Sequence, residues 1–308
     1  MPSTIPQPPA SEILTRARGA FLGVAVGDAL GATTEFMTPA EIRAQFGVHR
    51  KIVGGGWLHL KPGRVTDDTE MSLCLARAIL NNAEWDLRAV AEELLAWMRG
   101  KPIDIGSTVR RGIRDYLLKG QMETPPSDWD AGNGAVMRML PVALCTCGDE
   151  RQLEAKVIAQ AHLTHNNPLS DAACITVGRM VHAALLGCDR FAMHALTRDL
   201  VARHPSFRFS DYPGRASGYI VETMQTVFHF LFTTGSFEEC LIGVVNQGGD
   251  ADTTGAIAGM IAGALYGEAA IPAGWLKRLD PEVSKEAAAA AEELVRRSPA
   301  WPRTAMPE

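Results

Sequence analysis

Glycine falls at every fourth position in two apolar stretches of this chain. One stripe, Gly19, Gly23, Gly27 and Gly31, runs through GAFLGVAVGDALG; the other, Gly255, Gly259, Gly263 and Gly267, runs through GAIAGMIAGALYG. An interior helical glycine costs about 1 kcal/mol relative to alanine, so such a repeat needs an offsetting gain. Spacing of i, i+4 puts each stripe on one helix face, and a face stripped of side chains lets a second backbone approach closely. The two helices are therefore expected to cross tightly at the centre of the molecule. The longest apolar run in this region, Ala256–Tyr266, is shorter than the roughly 18 residues of a membrane span.

The rest of the chain is patterned to match. Helical periodicity predicts helices over, among others, Ser11–Phe36, Asp68–Asn82, Ser107–Lys119, Ala135–Cys145, Gln152–His165, Phe237–Val245 and Thr253–Tyr266. Alternating β-branched runs are nearly absent, so no sheet is expected. No linker splits the chain, and the expected fold is all-α, a single helical bundle over residues 11–298. Proline-rich residues 1–10 read as a disordered arm and 299–308 as a disordered tail. The arm lacks the basic-then-apolar order of a secretory signal. Net charge is −5, which gives no electrostatic footprint for nucleic acid. None of the six cysteines has CxxC spacing, so they read as reduced, mostly buried thiols in a cytoplasm.

Two acidic loops stand before apolar helices: Thr66-Asp67-Asp68-Thr69, and Asp250-Ala251-Asp252-Thr253 in QGGDADTTG. Each alone reads as helix capping, with Asp67 as N-cap and Glu70 three residues on. A cap needs one acid, however, and each loop supplies two plus a threonine. Crowded carboxylates raise one another's pKa unless a cation lies between them. Thr66, Asp67, Asp68, Asp250, Asp252 and Thr253 together form the hard-oxygen set that Mg²⁺ or Mn²⁺ prefers, with charge enough for two ions. Glu35 adds a fifth acid, brought near by the packing of the glycine helices. Asp28, two turns earlier, reads as a hydrogen-bonded structural acid. Asp104, between two isoleucines, reads either as an N-cap for the helix from Ser107 or as a carboxyl of raised pKa suited to proton transfer.

Gly132-Asn133-Gly134 precedes the Ala135 helix, so its backbone N–H groups could face an anion, although an ordinary loop fits equally well. His162 and His165 share a helix face without a third metal ligand nearby, and His165 is assigned a substrate contact. Tyr219 fits either stacking on a base or facing the core.

At these residues the chain resembles the ADP-ribosylglycohydrolase family. The motifs are GAFLGVAVGDALGATTEF, TDDTEMSL, GNGAVMR, THNNPLSDAA and NQGGDADTTGAIAGMIAGALYG, and the likeness spans about Arg18 to Leu279. It implies an orthogonal helical bundle around a binuclear Mn²⁺ or Mg²⁺ centre held by Thr66, Asp67, Asp68, Asp250, Asp252 and Thr253. It also implies Glu35 and Asp104 as catalytic acids, Gly132, Asn133 and Gly134 as a diphosphate loop, and His165 and Tyr219 as ADP-ribose contacts. Ser107 departs from the asparagine expected there. The likeness is strongest to members that release ADP-ribose from an arginine of nitrogenase iron protein. Those imply control by a PII-type signalling protein and, through it, an ammonium transporter, with a cytoplasmic enzyme drawn reversibly to the membrane. A metallophosphohydrolase acting on ADP-ribose or a nucleotide diphosphate, and a binder of ADP-ribose without catalysis, are the competing readings.

Overall fold

The computed structural model describes residues 8–302. The expected disordered arm and tail lie outside them for residues 1–7 and 303–308. Among the described residues there are fourteen α-helices and no strand. The first seven are α1 (Ala10–Gly31), α2 (Pro39–Phe46), α3 (Asp67–Leu80), α4 (Leu87–Arg99), α5 (Ser107–Lys119), α6 (Leu140–Thr146) and α7 (Glu150–His162). The others are α8 (Pro168–Leu185), α9 (Arg190–Arg203), α10 (Ile220–Thr233), α11 (Phe237–Val245), α12 (Ala251–Tyr266), α13 (Ala273–Leu276) and α14 (Pro281–Arg296).

Helices α1 and α12 form the axis of the molecule. Every residue from Gly19 to Gly31 is buried, as is every residue from Ala251 to Ala264. A Cβ placed on Gly23 would meet Gly259 O at 2.1 Å, and one on Gly27 would meet Gly255 O at 2.0 Å. Likewise a Cβ on Gly19 would strike Gly263 O at 2.4 Å, and one on Gly31 would strike Ala251 O at 2.1 Å. The partner number falls as the first rises, so the helices run antiparallel, backbone against backbone over three turns rather than at one crossing. Gly267 stands apart from the stripe: it closes α12 at a φ of 78°, where a side chain would be strained.

Three expected boundaries move. α1 stops at Gly31 rather than Phe36, because Thr34 Oγ1 lies 3.1 Å from Gly31 O and 2.8 Å from Val245 O and draws the chain aside. α6 begins at Leu140 rather than Ala135, with Pro141 in its first turn. α7 ends at His162, so His165 is not on its face. All six cysteines are free, four of them buried. No described helix is long and apolar enough to cross a membrane.

Candidate active site

The acidic centre is built on the start of α3. Asp28, fully buried in α1, accepts from Thr66 N at 3.0 Å and Thr69 N at 3.2 Å, and from Thr69 Oγ1 at 2.5 Å. A carboxylate from another helix thus caps α3. The expected capping box of Asp67 and Glu70 does not form: Thr66 is the N-cap without a side-chain cap bond, and Glu70 takes Arg64 and Trp97 Nε1. Asp67 and Asp68 are released to face inward.

The second loop meets them there. Thr253 Oγ1 donates to Asp68 Oδ2 at 3.2 Å, and Thr66 Oγ1 lies at 3.2 Å from the same oxygen. Asn133 Nδ2 donates to Asp250 Oδ2 at 2.6 Å, and Gly106 N to Asp67 Oδ2 at 3.2 Å. Glu35, Asp250 and Asp252 bring carboxylate oxygens within 4.8 Å of one another. Backbone geometry fixes this loop. Gly249 N donates to Met37 O, Phe36 N donates to Gly249 O, and Asp250 N donates to Ala216 O. A Cβ on Gly248 would lie 1.8 Å from Met37 O, which is why glycine occupies that left-handed position.

These acids open into a cavity of about 450 Å³, within the range of small-molecule sites. Its wall includes Glu35, Asp67, Asp104, Asp250, Asp252 and Thr253 together with Gly132, Asn133, Gly134 and His165. Among the described residues no lysine or arginine lines it. Thr66 and Asp68 lie fully buried behind that wall. Tyr219 is not part of the lining; its side chain is half-exposed and its backbone bridges Gly132.

Burial pushes every carboxyl here upward, and mutual repulsion adds to it for all but Asp104, which burial raises against the pull of Arg110. Glu35 rises to about 8, chiefly through burial, with Asp250 and Asp104 adding repulsion against the Trp57 hydrogen bond. Asp67 rises to about 8 through burial and then Asp104. Asp68 and Asp252 lie well above the usual carboxylate range, burial being the larger cause. Asp250 and Asp104 are raised mainly by burial as well. Asp68 Oδ1 is buried without any hydrogen-bond partner. Buried polar atoms are rarely left so, and a hard-oxygen cluster without a protein cation is the donor set of a divalent metal. The residues fit a metal centre.

Asp104 accepts from Ile105 N at 2.8 Å and does not cap α5, whose N-cap is Gly106. The glycine loop differs from expectation, since no helix starts at Ala135 and Asn133 N already donates to Gly218 O. Its glycines have a packing cause: a Cβ on Gly134 would lie 2.7 Å from the His165 ring. His165, buried and beside Arg138 and Arg111, has its pKa lowered to about 3, so it is neutral. Beneath the loop lies a group missed from sequence. Fully buried Arg138 donates to Gly134 O at 3.1 Å, to Gln160 O and Oε1, and to Thr164 Oγ1. An arginine inside AVMRMLPVAL was the available signal. Trp57, which donates to Glu35 Oε2 at 2.5 Å, carried no comparable pattern.

Fold and site together define an all-helical protein whose glycine-locked central pair presents a carboxylate centre, able to hold metal, to a ligand-sized cleft. The chain belongs to the ADP-ribosylglycohydrolase family, whose model matches residues 9–303. It is 56% identical over 271 residues to the ADP-ribosyl-[dinitrogen reductase] glycohydrolase of Rhodospirillum rubrum, covering 88% of this chain and 92% of that protein. With the ADP-ribosylarginine hydrolase Tri1 of Serratia proteamaculans it shares 33% identity over 288 residues, 88% of this chain and 77% of that protein. A solved ADP-ribosylglycohydrolase-related protein complex superposes with a TM-score of 0.83 at 34% identity, over 93% of this chain and 99% of that one.

Proposed function

We propose that this protein hydrolyses the N-glycosidic bond between ADP-ribose and an arginine side chain, and that its substrate is ADP-ribosylated nitrogenase iron protein. The observation that carries the reading is the convergence of Glu35, Asp67, Asp68, Asp250 and Asp252 around a cavity that also exposes the Gly132–Gly134 loop. The relatives named for ADP-ribosylarginine and for dinitrogen reductase support the bond and the substrate.

Thr66, Asp67, Asp68, Asp250, Asp252 and Thr253 would hold two divalent cations, Mn²⁺ or Mg²⁺. Bound there, such ions orient hydroxyls and lower the pKa of water. Glu35 lies within ligand reach of Asp250 and Asp252, and we assign it to holding that cluster and the attacking water. Asp104 stands outside the cluster's hydrogen bonds, on a loop, with its carboxyl raised by burial. It exchanges the proton with water or with the departing guanidine nitrogen. Gly132, Asn133 and Gly134 take the diphosphate, His165 contacts the ADP-ribose as a neutral ring, and Tyr219 reaches over from the rim. Cleavage builds positive charge on the ribose ring, as in glycoside hydrolysis generally, and the anionic wall is placed to stabilise it.

The test is the mass of the product released from an ADP-ribosylated arginine substrate by manganese-loaded protein. Free ADP-ribose and intact arginine support the reading; AMP, with phosphoribose left on the arginine, would establish the phosphohydrolase instead. Asp104→Asn should lower kcat by about 10²–10⁴ while leaving calorimetric Mn²⁺ binding intact, whereas Asp250→Ala should lose the metal. The PII-type partner and the ammonium transporter are carried by resemblance alone, and co-sedimentation with purified PII protein tests the first of them.

A further inference from the structure

A bulky aromatic residue held with positive φ at the rim of a cavity is a built feature. Phe36 has φ of 62°, a region that large side chains avoid. Its backbone is held there by pairing with the acidic loop, Phe36 N donating to Gly249 O at 2.6 Å and Gly249 N to Met37 O at 3.0 Å. Strained residues of this kind persist where the surroundings over-determine them, typically at ligand clamps. The outcome is a phenyl ring that lines the cavity and is still 65% exposed.

A second ring backs it. Trp57 lies 5.3 Å from Phe36 between centroids, tilted by 50°, and is 49% exposed. It rides on a short turn closed by Gly55 N to Leu60 O and Leu60 N to Gly55 O, at 2.8 and 2.9 Å. Thr33 Oγ1 donates to Gly54 O, and Gly56 packs so closely on Ala32 O that a Cβ would meet it at 2.2 Å. The turn is therefore docked rigidly on the end of α1. Trp57 Nε1 also donates to Glu35 Oε2, so both rings and one carboxylate form a single corner. Among the described residues the protein's own cation–π contacts fall on Trp85 and Trp301, and neither of these two rings is used.

We infer that the Phe36–Trp57 corner is the subsite for the arginine guanidinium, with Phe36 offering its face and Trp57 holding Phe36 and Glu35 in position. An exposed aromatic face beside an anion is the surface that a planar, weakly hydrated cation prefers. The inference rests on the proposed reaction, since only an arginine-linked substrate brings a guanidinium to this cavity. Phe36 is thus a specificity-determining residue for the leaving group and Trp57 a positioning residue.

The test uses manganese-loaded protein with ADP-ribosyl-agmatine as substrate and agmatine alone as a calorimetric ligand. Phe36→Ala should raise KM for ADP-ribosyl-agmatine about five- to thirtyfold with a smaller change in kcat. It should weaken agmatine binding by a similar factor and leave ADP-ribose binding unchanged. Phe36→Tyr, which keeps the face, should restore KM, and Trp57→Phe, which keeps the backing ring but loses the bond to Glu35, should affect kcat more than KM. An unchanged KM in Phe36→Ala, or a parallel loss of ADP-ribose binding, would overturn the inference and leave the hydrolase reading standing. Agmatine binding that depends on Phe36, without any turnover of ADP-ribosyl-agmatine, would do the reverse.

Discussion

At the scale of single residues, Asp28 shows how a buried charge does structural work beside a reactive centre. Its two oxygens collect the backbone and hydroxyl protons of Thr66 and Thr69, so α3 is capped from another helix, leaving Asp67 on the cavity wall and Asp68 buried behind it. Its pKa is raised to about 6 by burial despite those bonds. Asp28→Asn keeps the volume but turns a donor toward donors. We expect it to destabilise the protein by about 2–4 kcal/mol, the scale of a broken charged hydrogen bond plus an unsatisfied buried group. Urea unfolding would measure that loss, and weaker Mn²⁺ binding should accompany it because Asp67 and Asp68 lose their register. Asp28 is hydrogen-bonded as its sequence reading has it, though fully buried, and the local capping box, the alternative reading of that loop, does not form. Local capping is legible in sequence only when the cap lies within a few residues, and this one lies 38 positions away.

At the scale of elements, the glycine faces of α1 and α12 set the site. The contact is so close that carbonyl oxygens occupy the space of a missing methyl group. Gly259→Ala should therefore destabilise by about 1–3 kcal/mol or more, as overpacking does, even though alanine is the better helix former. Gly274 in α13 has nothing within 4 Å of its added Cβ and no positive φ, so Gly274→Ala should be neutral or stabilising by up to about 1 kcal/mol. Chemical denaturation of both variants separates close approach from helix propensity. Equal effects would show that the stripe has no packing role. The stripes were plain in sequence because their period is that of the helix. Less visible were the ends: α1 stops early through Thr34's bonds to distant Val245. Conversely α2 was overlooked although its signal is local, Thr38, Pro39 and Glu41 forming a capping box.

For the whole molecule, packing the acids together makes the metal-free fold sensitive to pH. Glu35 and Asp67 at about 8, and Asp28 at about 6, all bind their protons more tightly folded than unfolded. Their contribution is full below about pH 4, the unfolded carboxyl range, and is lost as pH climbs through 6 and then 8. Metal-stripped protein should therefore melt lower at pH 8 than at pH 5. Divalent metal needs the ionised carboxylates, so its stabilising effect should grow over the same interval. Differential scanning calorimetry with chelator and with Mn²⁺ at both pH values checks the sign. A gap between loaded and stripped protein that narrowed with rising pH would contradict a shared carboxylate centre.

The sequence by itself determined the helical class, the close-packed glycine pair and the identity of the acids, because periodicity, the missing methyl groups and like-charge crowding are local physical facts. It also carried the family. Only the tertiary structure decided which acid caps which helix, that Asp68 Oδ1 is left without a partner, that His165 lies under a loop braced by Arg138, and that Phe36 and Trp57 share a corner with Glu35. The cap, the packing of His165 under its loop and the aromatic corner join segments tens of residues apart, and no spacing along the chain encodes a contact that arises only when helices pack.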